Sequence, residues 1–202
     1  MFKGFKAPDK IVLASRNPDK IEELHATLSG IGIKLRSSLD FPELDDVEEP
    51  LESLEGNAYI KALYTFNMTG LPSLADDTGL EVDALDGRPG VFSARYAGKN
   101  ATYLENVAKL LAEMEPFENR RARFRTALAY VSTEATFIFQ GVCEGIILRE
   151  RKGDKGFGYD PIFLPDGKQK TFAELSSDEK NKISHRAKAI QQFVRFMKGM
   201  TK

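Results

Sequence analysis

The sequence predicts an α/β fold in which helices flank a mixed β-sheet. Three observations carry this. Short β-branched runs alternate with helix-periodic stretches through the first half of the chain. Two long apolar runs, 122–132 and 135–148, then follow each other across a short polar break near Glu134. A helical period returns over 177–200. Strand–helix alternation favours parallel pairing and a hairpin is antiparallel, so the sheet is expected to contain both.

The elements follow in order. KIVLAS (10–15) reads as the first strand. Ile21, Leu24, His25 and Leu28 then recur at helical spacing. Asn17 is placed to cap that helix, Pro18 to occupy its first position and Gly30 to close it. Residues 32–38 form a second strand, and an irregular acidic stretch runs over 39–55. A helix over 53–67 carries Leu54, Ala58, Ala62 and Phe66 on one face. PSLAD (72–76) and LEVDAL (80–85) read as two short strands, and DGRPG (86–90) as a turn. The helix over 102–114 places Leu104, Val107, Leu111 and Met114 inward, and Pro116 ends it. A Gly- and Asp-rich loop spans 153–167. In the last helical region Ser176 and Glu179 fit a capping box, and Ser184 is placed to cap a second helix after a break.

Bulk properties narrow the function. The 202 residues suit one domain or two small lobes, and 42% hydrophobic content is enough for a real core. Charged residues make up 29% with a net charge of -1, which argues against a nucleic-acid or membrane-surface partner. No apolar run approaches the about 20 residues that span a bilayer. MFKGFKAPDK lacks the apolar centre of a signal peptide and reads as a tail over 1–9. The one cysteine, Cys143, excludes an internal disulfide, suits a cytoplasmic protein and is expected in the core.

Four stretches have chemical potential. In ADDTGL (75–80), Asp76 and Asp77 are adjacent at a strand end, where successive side chains point to opposite faces. Strand-end carboxylates suit Mg²⁺, which takes one or two of them and completes its shell with water and phosphate. The plain alternative is an Asp turn with Gly79 at positive φ. In SRNPDK (15–20) a strand-to-helix turn points backbone N–H groups at an anion; Ser15 and Asn17 add polar groups and Lys20 adds a charge. The alternative there is helix capping alone. GDKGFGYDPIF (153–163) puts Phe157 and Tyr159 on a glycine-rich loop. A base stacked on such a ring gains about 1–3 kcal/mol; the alternative is a loop pinned to the core by its aromatics. DEKNKISHRAKA (178–189) concentrates Lys180, Lys182, His185, Arg186 and Lys188, either as a functional patch or as a solvated helix face. His25 reads as structural. Taken together, acids for a metal, cations for phosphates and a ring for a base are what a nucleoside triphosphate requires.

SRNPDK, ADDTGLEVDALDGRPGVFSARYAG, GFGYDPIF and KISHRAKA, in this order and at these separations, resemble the inosine triphosphate pyrophosphatase (Ham1-like) family, and within it the bacterial dITP/XTP pyrophosphatase branch. The resemblance runs from Lys10 to Met197. It implies one ITPase-like domain over 1–202, with an elongated mixed sheet, flanking helices and two lobes around a central substrate cleft. It also implies a homodimer, a small nucleotide substrate, Mg²⁺, and hydrolysis of ITP, dITP or XTP to the monophosphate and pyrophosphate. By motif, Ser15, Arg16, Asn17, Pro18, Asp19, Lys20 and Lys61 would hold phosphates. Asp77 would be general base and Mg²⁺ ligand with Asp76 beside it, and Thr78 would touch substrate. Glu49 matches a second metal carboxylate, with Glu48 in competition. Phe157, Gly158, Tyr159 and Asp160 would embrace the nucleoside, with Phe157 stacked on the base; Lys180, His185 and Arg186 would complete the base and phosphate pocket. The rival reading is a nucleotide-sensing module that binds without turnover.

Overall fold

The computed structural model describes residues 7–28, 32–47 and 49–200. The Gly30 helix stop, Glu48 and most of the expected tail lie outside the described residues. The strands are β1 (Lys10–Leu13), β2 (Lys34–Ser37), β3 (Ser73–Val82), β4 (Pro89–Gly90), β5 (Arg121–Val131), β6 (Thr136–Ile147) and β7 (Phe163–Pro165). The helices are α1 (Pro18–Leu28), α2 (Leu54–Thr69), α3 (Tyr103–Glu113), α4 (Ser177–Ile183) and α5 (His185–Met200). The strands make one sheet in the order β2-β1-β3-β5-β6-β7, with β4 paired to β3. β1 pairs parallel with both β2 and β3, and β3–β4 and β6–β7 are antiparallel. The expected mixed sheet is therefore present. Among the described residues no helix is long and apolar enough to cross a membrane.

The chain divides into two compact units, 1–77 with 126–141 and 187–202, and 78–125 with 142–186. In the first, Ile11, Leu13 and Leu74 from β1 and β3 pack with Leu24 and Leu28 of α1 and with Ile190, Phe193 and Met197 of α5. In the second, Val107, Leu110 and Met114 of the α3 region pack with Leu80, Phe124, Ile147, Phe163 and Phe172.

Several boundaries differ from the sequence reading. The two strands expected at 72–76 and 80–85 are one ten-residue strand, β3, so Asp76 and Asp77 lie within a ladder and not in a turn. Gly79 is not among the residues at positive φ. It is required because a Cβ there would lie 2.6 Å from the Gly90 carbonyl oxygen of paired β4. In the α3 region Val107, Leu110 and Met114 are buried and Leu111 packs partly buried against the same core, whereas Leu104 is 57% exposed. The loop over 153–167 contains β7, which pairs with β6. The final helical region does break at Ser184, and the Ser176–Glu179 capping box forms. Cys143 is buried in the second core, and His25 faces solvent.

On the outward side of the second unit's sheet, a ladder of opposite charges connects β5 to the segments around it. Arg125 meets Glu81 at 2.9 Å, Arg123 meets Asp83 at 2.7 Å and Glu144 at 3.3 Å, and Arg121 reaches Asp166 at 2.7 Å. The alternation of Arg121, Arg123 and Arg125 with buried Ala122 and Phe124 is the period-two signature of a one-sided strand.

The close approach of β3 and β4 gives a direct test. Gly79→Ala is expected to destabilise the protein by about 1–3 kcal/mol, because backbone has to move to admit the methyl group. Urea denaturation of the two proteins measures this as a lower midpoint at unchanged slope.

Candidate active site

The first polar cluster forms where α2 passes the middle of β3. Ser53 caps α2 by accepting from the Gly56 N–H at 3.2 Å, and Gly70, at φ 65°, closes it. Between these stops the helix presents Lys61. Its ammonium donates to Glu49 Oε1 at 2.7 Å, to the Asp76 carbonyl at 2.8 Å and to Asp77 Oδ1 at 3.3 Å. Lys20, one turn into α1, meets Asp76 Oδ2 at 3.3 Å. Three carboxylates and two ammonium groups are therefore held together, and the Asp76 side chain is fully buried.

The electrostatics of the cluster follow from burial and an excess of acid. Burial raises the Asp77 pKa, and the charges of Glu49 and Asp76 add to this against the opposing pull of Lys61 and Lys20. For Lys61, burial acts to lower the pKa, but Asp77, Glu49 and Asp76 together outweigh it and the net shift is upward. Lys61 thus remains an ammonium while Asp77 holds a proton more readily than an exposed aspartate. Asn57, one turn before Lys61, is fully buried and also reaches Asp77, at 3.4 Å to Oδ2. The sequence reading passed over it; its i, i+4 relation to Lys61 on the same helix was the available signal.

The donor set suits a divalent cation. Surplus negative charge is concentrated on buried oxygens, and Mg²⁺ needs only one or two carboxylates. Among the described residues no three His, Cys, Asp or Glu side chains form a ready cage. Lys61 lies between Glu49 and Asp77 and holds these oxygens by hydrogen bonds.

The turn over 15–20 divides its polar groups between capping and the acidic cluster. Asn17 caps α1, its Oδ1 accepting from Asp19 N–H at 3.0 Å and Lys20 N–H at 3.3 Å. Ser15 Oγ accepts from Asn17 N–H at 3.3 Å. Arg16 donates to the Leu44 carbonyl and pairs with Asp46 at 3.3 Å, so it is tied to the acidic stretch. Pro18 and Asp19 form the first turn of α1. Lys20 reaches the buried Asp76 carboxylate.

A second polar cluster belongs to the other unit. Asp160 Oδ2 accepts from Lys180 Nζ at 2.6 Å and from the Phe157 N–H at 3.0 Å. The second bond holds the glycine-rich loop in shape. Gly156, at φ 70°, has no alternative, since a Cβ would collide with the Asp160 carboxylate. Lys180 lies 4.9 Å from the centre of the half-buried Phe157 ring and the Arg186 guanidinium 5.7 Å from it. Arg186 also donates to Thr78 Oγ1 at 3.3 Å. The His185 ring stacks on Phe124 at 4.7 Å and 26°. Tyr159 is buried, and its hydroxyl donates to the Ser93 carbonyl at 2.9 Å, so the side chain anchors the loop to the core. Gly158, at φ 61°, provides the turn between the two rings.

The basic run is therefore sorted by burial. Lys180, His185 and Arg186 are 6%, 4% and 2% exposed, whereas Lys182 and Lys188 face solvent. A solvated helix face does not bury three such side chains, and burying charge is costly unless it is paired.

Comparisons with known proteins bear on the family and the fold. A sequence model described as the Ham1 family matches residues 11–196. A dITP/XTP pyrophosphatase of Geobacter sulfurreducens is 48% identical, covering 90% of this chain and 92% of its own length. One from Halalkalibacterium halodurans is 44% identical, covering 92% and 97%. The solved Ham1 protein of Coxiella burnetii superposes with a TM-score of 0.87 at 44% identity, covering 94% of this chain and 98% of that one. The Staphylococcus aureus Ham1 protein gives 0.86 at 37% identity, with the same coverage. Sequence, fold and the placement of the four motifs lead to one assignment: the chain belongs to the Ham1 family.

Proposed function

We propose that this protein is a nucleoside-triphosphate pyrophosphohydrolase that converts dITP, ITP and XTP to their monophosphates and pyrophosphate, clearing deaminated purines from the nucleotide pool. The observation that carries the reading is the buried chain Glu49–Lys61–Asp77, with Lys20 on Asp76 beside it. It combines acids suited to a metal with cations suited to phosphates. Relatives such as those of G. sulfurreducens and H. halodurans bear the name of this activity.

Glu49, Asp76 and Asp77 would hold Mg²⁺. When bound, the ion supplies charge neutralisation at phosphate oxygens and lowers the cost of deprotonating a water. Asp77 accepts the proton of the attacking water; its raised pKa brings it closer to the working pH of a general base. The water oxygen bonds to the α-phosphorus, the bond from that phosphorus to the bridging oxygen breaks, and pyrophosphate leaves with the electron pair. Lys20 and Lys61 stabilise the charge that builds on the leaving group.

The second cluster is assigned to the nucleoside. Phe157 offers a ring face to the base, and Asp160, Lys180 and Tyr159 hold that ring in place. Hypoxanthine and xanthine carry a carbonyl acceptor at position 6 where adenine carries an amino donor. N–H donors of His185 and Arg186 would pair with the carbonyl, whereas the amino group of adenine would set donor against donor. A cytoplasmic homodimer belongs to the same proposal. Its support is the family resemblance and the exposure of Phe92, Tyr103, Leu104 and Phe117, at 38–57%.

Pyrophosphate release from ITP with Mg²⁺ tests the reading and separates it from a module that only binds nucleotide. Asp77→Asn is expected to lower kcat by about 10²–10⁴-fold while the circular dichroism spectrum is retained; near-normal turnover refutes the assigned base. Removing divalent ions with EDTA is expected to stop release, and added Mg²⁺ to restore it. In competition assays kcat/KM for ITP is expected to exceed that for ATP by at least about tenfold. Equal values contradict the His185 and Arg186 donors.

A further inference from the structure

We propose that Asn57 is a positioning residue that sets Asp77 and the Glu49 segment in a single arrangement. This rests on the reading of Asp77 as general base. Asn57 is completely buried on α2 and is one of few polar side chains in that position. Its Oδ1 accepts from the Leu51 N–H at 3.0 Å. Its Nδ2 donates to the Leu51 carbonyl at 3.0 Å and to Asp77 Oδ2 at 3.4 Å. Both amide hydrogens are thereby used, and the orientation of the amide is fixed, because a flipped group would aim its oxygen at two acceptors.

The pair of bonds to Leu51 satisfies both backbone groups of that residue, as a neighbouring strand would. Glu49 is two residues upstream, across Pro50. Proline locks its own φ near −65° and restricts the residue before it to extended conformations. Glu49–Pro50–Leu51 is thus a stiff unit, and clamping Leu51 sets where the Glu49 carboxylate arrives. The two oxygens of Asp77 meanwhile have different partners, Lys61 on Oδ1 and Asn57 on Oδ2. Lys61 holds the carboxylate by charge, and Asn57 fixes its rotation about χ2. Residues 57 and 61 lie one turn apart on the same helix face, so α2 presents both groups as a rigid pair.

Three measurements test this. In the wild-type protein the Leu51 amide is expected to be protected from hydrogen exchange well beyond its exposed neighbours in the acidic stretch; exchange at the open-chain rate overturns the clamp without any variant. In Asn57→Ala and Asn57→Asp, kcat for pyrophosphate release from ITP is expected to fall at least about tenfold while KM changes less than about threefold. Affinity for a non-hydrolysable ITP analogue in EDTA is expected to stay within the same threefold. Thr65→Ala, two turns further along α2 and also buried, provides the stability control. It is expected to lower the Tm but keep kcat. Unchanged kcat in a folded Asn57 variant overturns the proposal. So does a KM that rises as far as kcat falls, or an equal loss of kcat in Thr65→Ala. A wild-type protein that releases no pyrophosphate sinks the enzymatic reading instead, and the exchange measurement still decides whether the clamp exists.

Discussion

The ammonium of Lys61 is the constraint around which the first cluster is arranged. A cation with only 13% of its side chain exposed is stable only if anions meet it. Glu49, the Asp76 carbonyl and Asp77 do so, and they come from a loop and a strand far apart in sequence. The reverse dependence is equally strong. Without Lys61 the carboxylates would face one another in a poorly solvated space, and Glu49 would have little reason to turn inward. The helix is placed to make this possible by its caps, by Leu54, Ala58 and Ala62 on its apolar face, and by the Ser73 hydroxyl, which donates to the Ala62 carbonyl at 2.5 Å.

The second cluster uses the same principle with other materials. Asp160 meets the buried Lys180 at 2.6 Å, and the same oxygen holds the Phe157 N–H. One carboxylate therefore neutralises a charge and shapes a loop. The ring it positions has cations near it and a π-face on which a flat aromatic partner can stack. Tyr159, whose pKa is driven upward mainly by burial, keeps its proton and its bond to Ser93 across any physiological pH.

Much of this was legible in the sequence. Helix caps at Asn17 and Ser176 follow local rules that tertiary structure left intact, and the helices expected to open near Ser53 and Thr102 do so. The break at Ser184 was visible for the same reason. β3 was misread as two strands because ADDTG has the composition of a turn. The ladder is continuous there because Gly79 admits the β4 backbone and because the aspartates are paid for by lysines elsewhere in the chain. That compensation is a long-range fact, which no local pattern encodes. The same holds for the basic run, in which Lys180 and Lys182 look alike until burial separates them. Asn57 escaped notice because its one local sign, the i, i+4 spacing to Lys61, gains meaning only through Leu51 and Asp77.

The two ends of the sheet order carry a consequence for how copies of this chain can associate. At one end β2 has four residues, KLRS, with Lys34 and Arg36. At the other, β7 is three residues long and ends in Pro165, which has no N–H to donate. Short rims bearing basic side chains or proline resist the recruitment of a further strand, the route by which exposed ladders template aggregates. Addition of a further strand along β2 or along β7 is thereby disfavoured.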